Sequence, residues 1–195
     1  AHSYTKSVVP KYDEINLRNI ATQRTYMKAI LELSPKSDRI FPDANSTLRV
    51  TYGKVKGYKP SDAVIYEPVT YLDGVMEKYI PGDYEFDVPK KLIDLYNTKD
   101  FGKYSHKGKM PVCFIATNHT TGGNSGSPAL DANGNLIGLN FDRVWEGTMS
   151  DIYYSPEICR NIMVDARYIL FIIDKFAGAQ NIIDELKIIY PKSKK

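Results

Sequence analysis

Residues 120–128 read Thr-Thr-Gly-Gly-Asn-Ser-Gly-Ser-Pro, so that Ser125 stands among glycines and Pro128 closes the run. Glycine reaches backbone conformations that are closed to residues with a Cβ, so neighbouring backbone N–H groups are able to converge beside an exposed hydroxyl. Such a convergence is what an oxyanion hole requires. The alternative interpretation is a glycine-rich turn in a β protein, because short motifs also match by chance.

The sequence on both sides of this run predicts a sheet. Residues 111–117 form an apolar run that leads into it, and Asn133-Gly134, a strong signal for a tight hairpin, follows it. Residues 136–141, Leu-Ile-Gly-Leu-Asn-Phe, return as the partner strand. The central stretch is therefore predicted to be a loop between strands.

Helical patterns are expected near both ends of the chain. Residues 13–33 repeat apolar side chains at helical spacing, and this apolar stripe needs a partner. Residues 34–45 are rich in proline and small polar residues and predict a linker, whereas residues 48–55 alternate like a half-buried strand. Asp165 is positioned as the N-cap of a terminal helix that Gly178 ends.

Composition excludes several classes of function. The 195 residues carry a net charge of only +3, which is too small and too dispersed to indicate a nucleic-acid partner. The longest apolar run, residues 168–173, is too short to cross a bilayer. The histidines are scattered, and two cysteines, Cys113 and Cys159, imply no disulfide framework. We therefore expect no metal, no cofactor and no membrane insertion.

The central stretch also carries a resemblance to a known family. Residues 123–128 resemble the nucleophile loop of chymotrypsin-fold serine peptidases, where the pattern is Gly-Asp-Ser-Gly-Gly-Pro. Residues 121–141, with Asp142-Arg143 after them, more closely resemble the bacterial dipeptidyl-peptidases of serine peptidase family 46, which remove dipeptides from free peptide N-termini. The likeness continues through residues 165–168 into the terminal helix. Arginine at position 143 is similar to the members that cut after Asp or Glu.

The resemblance implies that Ser125 is the nucleophile and that the backbone amides of Gly123 and Ser125 form the oxyanion hole. Each donor of such a hole is commonly worth about 3 kcal/mol of transition-state stabilisation. Asn124 stands where the wider chymotrypsin pattern has aspartate. Whether a buried salt bridge orders this loop is therefore an open question at the level of sequence.

Two further residues would bind the substrate. The guanidinium of Arg143 is a planar fork that matches a carboxylate, and the resemblance places it in the pocket for the residue before the cut bond. The alternative is an ordinary surface arginine paired with Asp142 or Glu146. Asp142 is implied to bind the ammonium of the substrate's N-terminus, and the alternative is a strand-end aspartate paired with Arg143.

The general base has no good candidate. A serine hydroxyl needs a positioned base, usually a histidine held by a carboxylate. The chain holds only His2, His106 and His119, and we expect all three to be surface or structural residues. In the chymotrypsin fold the histidine and aspartate come from the first barrel, so we expect this chain to lack them and to be inactive alone.

We therefore expect an α+β, mainly β chain, with a C-terminal chymotrypsin-like β-barrel, an N-terminal helical remnant and a C-terminal helix. Residues 1–40 would end a helical domain, and residues 41–195 would be the C-terminal half of the peptidase domain. The hypothesis is the C-terminal part of a periplasmic or secreted bacterial dipeptidyl-peptidase. Its substrates would be peptides with a free N-terminus and Asp or Glu in the second position.

The expected partner is the missing N-terminal barrel of the same protein, and the resemblance implies a homodimer. Two alternatives remain: a non-catalytic β-barrel binding module, or a fragment of a glutamate-specific endopeptidase.

Overall fold

The computed structural model describes residues 2–35 and 46–190, and the chain divides into two compact units, residues 1–47 and 48–195. The boundary predicted near residue 40 lies outside the described residues, as does most of the predicted linker. The assignment of residues 1–40 to a helical domain and of residues 41–195 to a peptidase domain stays a prediction.

The first unit contains two helices, α1 (His2–Ser7) and α2 (Val9–Leu33). Helix α2 ends where the sequence predicted but begins four residues earlier, because Pro10 suits the first helical turn, where its missing N–H is not needed. None of the residues of α2, all of which the structure describes, is buried. The apolar stripe of this helix therefore remains exposed within its own unit.

The second unit is built on one antiparallel sheet of five strands in the spatial order β1-β2-β5-β4-β3. The strands are β1 (Val69–Tyr71), β2 (Pro111–Ala116), β3 (Pro128–Leu130), β4 (Leu136–Arg143) and β5 (Asn161–Asp165). The predicted strand before the central loop and the predicted hairpin after it are confirmed. The strand predicted over residues 48–55 is wrong, because this segment makes only an isolated bridge between Val55 and Ala116.

A β-bulge interrupts β4 next to the candidate nucleophile. Asn140 is opposite Met163 and Asp142 is opposite Ile162, so Phe141 is the extra residue on β4. Because side chains alternate between the two faces of a strand, one extra residue changes the face on which the following side chains emerge. The bulge therefore sets the direction of Asp142 and Arg143.

Helices hold more of the described residues than the sheet does. The second unit contains α3 (Leu72–Glu77), α4 (Lys90–Asn97), α5 (Ala166–Phe171) and α6 (Gln180–Glu185), with a π-helical turn, Ile172–Phe176, after α5 and 3-10 segments at Gly102–Tyr104 and Trp145–Asp151. Helix α2 alone has 25 residues, whereas the longest strand has 8. The chain is thus mixed helix and sheet, and the expectation of a mainly β chain is corrected.

The terminal helix follows the prediction closely. The Asp165 carboxylate accepts a hydrogen bond from the backbone N–H of Arg167 at 2.9 Å, which caps α5. Gly178 has a φ of +69° just after the π-helical turn, a conformation that costs glycine little. The five strands are antiparallel, as a chymotrypsin-like barrel requires, and the barrel itself stays a prediction.

The core lies where the sheet meets the helices. One buried cluster joins α3, α4 and α5 to the start of β2, through Leu72, Val88, Leu92, Phe101, Tyr104, Met110 and Phe171. A smaller cluster lies on the sheet and consists of Phe114, Ala116 and Met163. Gly138 of β4 packs against this second cluster so closely that a Cβ there would lie 2.5 Å from the carbonyl oxygen of Val164 and 2.8 Å from the Phe114 ring. Only glycine fits at this point of the sheet.

Candidate active site

Ser125 lies exposed in the loop between β2 and β3, and hydrogen bonds join this loop to β4. The Gly126 amide donates to the Asn140 carbonyl at 2.7 Å, and the Asn140 amide donates to the Ser127 carbonyl at 2.9 Å. The Ser125 hydroxyl donates to the carbonyl of Phe141 at 3.1 Å. The bulge at Phe141 therefore supplies the acceptor that orients the candidate nucleophile.

Asparagine side chains link this loop to the rest of the second unit. The Asn124 side-chain oxygen accepts from the Thr121 backbone N–H at 2.9 Å and from the Arg49 guanidinium at 3.1 Å. The Asn140 side chain donates to the Asn124 carbonyl at 3.2 Å and accepts from the Asn161 side chain at 2.8 Å. Asn140 and Asn161 are both buried, so this chain of amides extends from the sheet into the loop. Asparagine at 124 thus replaces the aspartate of the wider pattern with a neutral acceptor.

Two backbone amides of the loop lie beside the hydroxyl of Ser125. Gly123 adopts a φ of +94°, in the left-handed region that favours glycine. Within residues 46–190, neither the Gly123 N–H nor the Ser125 N–H donates a hydrogen bond, whereas the Asn124, Gly126 and Ser127 amides all do. Both free donors belong to the exposed part of the loop and are available to an oxygen atom of a bound molecule.

A small open pocket of about 100 Å³ brings the candidate residues together. It is lined by Thr120, Thr121, Gly122, Ser125, Asn140, Phe141, Asp142 and Arg143. Three of the four residues singled out from the sequence, Ser125, Asp142 and Arg143, thus share one cavity. Gly123, the fourth, lies in the same loop and is not among the lining residues.

The guanidinium of Arg143 already has an acidic partner, which sequence reasoning missed. It donates to the Asp151 carboxylate at 2.7 Å and to the Ser150 hydroxyl at 2.7 Å. The hydrogen bond from Arg143 lowers the pKa of Asp151 below its ordinary value, and the same bond raises the pKa of Arg143. The alternative pairing of Arg143 with Glu146 is wrong, since Glu146 instead accepts a 2.6 Å hydrogen bond from the Tyr58 hydroxyl.

Asp142 is exposed and makes one local contact. One of its carboxylate oxygens accepts from the Arg143 backbone N–H at 2.8 Å. The guanidinium of Arg143 bonds to Asp151 instead, so the predicted side-chain pairing of Asp142 with Arg143 is also wrong. The second carboxylate oxygen of Asp142 has no hydrogen-bond partner in the part of the chain that the structure describes, and the nearby negative charge of Asp142 helps to raise the pKa of Arg143.

The three histidines lie in different segments of the chain. The Nε2 of His119 lies 2.9 Å from the Ser150 carbonyl oxygen, and its ring packs against Tyr154 at 5.0 Å between centroids. His106 is exposed and its backbone pairs with Lys109, while His2 begins helix α1. In the described part of the chain, the hydroxyl of Ser125 bonds to a backbone carbonyl rather than to an imidazole.

Three further observations in residues 2–35 and 46–190 concern metal ions, membrane spans and thiols. No group of three or more His, Cys, Asp or Glu side chains is arranged to hold a metal ion there. None of the helices described is both long and apolar enough to span a bilayer. Cys113 and Cys159 are free thiols, and burial raises the pKa of Cys113.

Sequence reasoning missed Asn140, Asn161, Ser150 and Asp151 as parts of the site. Asn140 did give a signal, because it is the one polar side chain in the apolar run of residues 136–141 and a buried amide needs partners. Asp151 gave none, because its approach to Arg143 depends on how the 3-10 segment Trp145–Asp151 folds.

Comparisons with known proteins place this chain among its relatives. The chain is 74% identical over 194 residues to the "Asp/Glu-specific dipeptidyl-peptidase" of Flavobacterium psychrophilum, a match that covers 100% of the chain and 27% of that protein. The protein of the same name from Capnocytophaga gingivalis is 71% identical, over 93% of the chain and 26% of the relative. The chain thus spans about a quarter of the length of these relatives.

A solved structure and a family model complete the comparison. The crystal structure of Porphyromonas endodontalis DPP11 in complex with the dipeptide Arg-Asp matches with a TM-score of 0.81 and 53% identity, over 86% of the chain and 24% of that protein. The model of the peptidase S46 family matches residues 3–188. Because that match takes in nearly the whole chain, the chain belongs to the peptidase S46 family.

Proposed function

We propose that the protein carrying this chain is a serine dipeptidyl-peptidase that releases N-terminal dipeptides with Asp or Glu in the second position. The observation that carries the proposal is the pocket that Ser125, Asp142 and Arg143 line together. The relatives named Asp/Glu-specific dipeptidyl-peptidase support the acidic preference.

Ser125 would attack the carbonyl carbon of the bond that follows the second residue. Its Oγ forms a bond to that carbon, a base takes the hydroxyl proton, and the same proton then goes to the leaving amine as the C–N bond breaks. Water hydrolyses the resulting ester and releases the dipeptide. The carbonyl oxygen becomes negative in each tetrahedral intermediate, and the unpaired amides of Gly123 and Ser125 would bind it.

Arg143 would select the second residue of the substrate, and Asp142 would set the length of the released peptide at two residues. The guanidinium, with only 23% of its side chain exposed, would bind the carboxylate of the second residue. Asp142 would bind the ammonium of the first residue, which fixes the number of residues between the N-terminus and the nucleophile. A peptide with a blocked N-terminus would lack that contact.

The base would come from outside these 195 residues. Ser125 bonds to the Phe141 carbonyl, and the His119 ring contacts the Ser150 carbonyl and Tyr154. The proposal therefore assigns nucleophile, oxyanion hole and pocket to this chain, and it assigns the histidine and aspartate of the triad to the rest of the protein. A periplasmic or secreted location and a homodimer belong to the same proposal and rest on the family resemblance.

The full-length enzyme with Arg143→Gly tests the pocket. We expect a much larger loss of kcat/KM on a dipeptide substrate that ends in Asp than on one that ends in Asn, because the two side chains differ mainly in charge. The rate at which a fluorophosphonate labels Ser125 should hardly change, since that reagent does not use the pocket guanidinium. Equal losses on both substrates would contradict the role of Arg143.

The same protein separates the two alternatives. A non-catalytic binding module would not be labelled by a fluorophosphonate, whereas the proposed enzyme would be labelled and Ser125→Ala would abolish the labelling. A glutamate-specific endopeptidase would cleave an acidic peptide with a blocked N-terminus, whereas the proposed enzyme would not.

A further inference from the structure

In the pocket, the guanidinium of Arg143 is bound to a carboxylate of its own chain. The Asp151 carboxylate lies 2.7 Å from the guanidinium, with 23% of the Arg143 side chain and 49% of the Asp151 side chain exposed. Asp151 ends the 3-10 segment that follows β4, so this segment folds back and brings its last two residues to the guanidinium.

The Asp151 carboxylate changes the net charge of the pocket that a substrate would enter. A guanidinium has five N–H donors, of which Ser150 and Asp151 each use one. A substrate carboxylate that used the remaining donors would lie beside the negative charge of Asp151. Two carboxylates that share one site repel each other, so both do not bind equally well.

We propose that Asp151 is a specificity-determining residue whose carboxylate holds the Arg143 guanidinium in the empty pocket and is displaced from it by the acidic side chain of the substrate. The inference rests on the proposed function, because it takes Arg143 as the group that binds this side chain. Displacement costs little for Asp151, which is half exposed and returns to water. The Ser150 hydroxyl keeps its bond to the guanidinium during the exchange.

The exchange has opposite consequences for acidic and neutral substrates. An acidic substrate replaces one carboxylate with another, so part of its binding energy is used to remove Asp151. A neutral substrate leaves the Arg143–Asp151 pair intact and does not bury an unpaired guanidinium. Asp151 therefore moderates the preference for acidic substrates, and its removal should sharpen that preference.

The test uses the full-length enzyme with Asp151→Asn and two chromogenic dipeptide substrates that differ only in Asp or Asn at the second position. We expect the KM for the Asp substrate to fall on the order of fivefold, as the loss of one partly exposed competing ion pair implies. The kcat/KM for the Asn substrate should not rise by more than about twofold over the parent value. Glu157→Gln is the matched control, because it removes one exposed negative charge from the same connection between β4 and β5 and should change neither KM.

Three results would overturn the inference. An unchanged or higher KM for the Asp substrate means that Asp151 does not compete with it. A similar loss on both substrates with a lower melting temperature means that Asp151 only holds the 3-10 segment in place. The same fall of KM in Glu157→Gln means that general surface charge is responsible. Asp151→Ser gives the same comparison if the asparagine variant does not fold.

The outcome for Arg143 distinguishes this inference from the proposed function. If Arg143→Gly selectively loses the Asp substrate while Asp151→Asn changes nothing, only the role of Asp151 fails. If Arg143→Gly loses both substrates equally, the pocket itself fails. Both variants are therefore measured with the same pair of substrates.

Discussion

Replacement of Asn140 with alanine should both destabilise the protein and slow the reaction of Ser125. Asn140 is only 6% exposed. Its side chain accepts from Asn161 at 2.8 Å and donates to the Asn124 carbonyl, next to Ser125, at 3.2 Å. Asn140→Ala removes both side-chain hydrogen bonds and leaves the backbone bonds of Asn140 with Gly126 and Ser127 to hold the nucleophile loop on β4.

The expected cost follows from the groups that the substitution leaves behind. Asn161 is 1% exposed, and its Oδ1 already has no hydrogen-bond partner in the described part of the chain. Without Asn140 the whole Asn161 amide would be buried unpaired, at a cost of about 1–3 kcal/mol. Loss of the bond to Asn124 adds about 1 kcal/mol, so we expect a total of about 2–4 kcal/mol. Asn161→Ala should cost less, because it removes the unpaired oxygen together with the donor.

Urea denaturation of the full-length enzyme measures the free energy of unfolding, and fluorophosphonate labelling measures the reactivity of Ser125. We expect slower labelling in Asn140→Ala, and we expect the double variant Asn140→Ala/Asn161→Ala to lose less stability than the sum of the single variants. Asn133→Ala, at an exposed turn, is the control and should stay within about 0.5 kcal/mol of the parent. A cost below about 1 kcal/mol for Asn140→Ala, or additive effects in the double variant, would refute the argument.

Three further predictions concern packing, charge and the location of the general base. Gly138→Ala should destabilise the protein by about 1–3 kcal/mol in urea denaturation, since its Cβ would lie 2.5 Å from the Val164 carbonyl oxygen; an unchanged midpoint would contradict the tight packing. The pKa of Asp151 is lowered in the folded state. The stability that its pair with Arg143 contributes should therefore be fully present above the ordinary aspartate pKa of about 3.9. It should be lost as the pH falls through the lowered pKa of the folded state. Asp151→Asn should remove that part of the pH dependence, measured as melting temperature against pH, and an identical profile would argue against it. The purified 195-residue chain should release no dipeptide, and release that His119→Ala abolishes would place the base within this chain.

Much of the fold was predictable because its signals are local. An apolar run that ends at the glycine-rich loop, Asn133-Gly134 at the hairpin and Asp165 at the helix start each depend on a few neighbouring residues, and the structure places all three as expected. The strand predicted over residues 48–55 was wrong for the complementary reason. Alternating side chains form a strand only where the edge of a neighbouring strand is free to pair with them. In residues 48–55 the structure shows one isolated bridge to β2, between Val55 and Ala116.

The sequence by itself determined which chemical groups are present: a serine hydroxyl among glycines, a guanidinium and a carboxylate next to each other, and three histidines. These groups can be read from the sequence because residue type and short-range spacing define them. The tertiary structure decided how they are used. The bulge at Phe141 orients the Ser125 hydroxyl, and the buried amides of Asn140 and Asn161 support the loop. Asp151 accepts a hydrogen bond from the guanidinium of Arg143. Each of these contacts joins residues that are distant along the chain or depends on a change of strand register, and neither is encoded by local pattern.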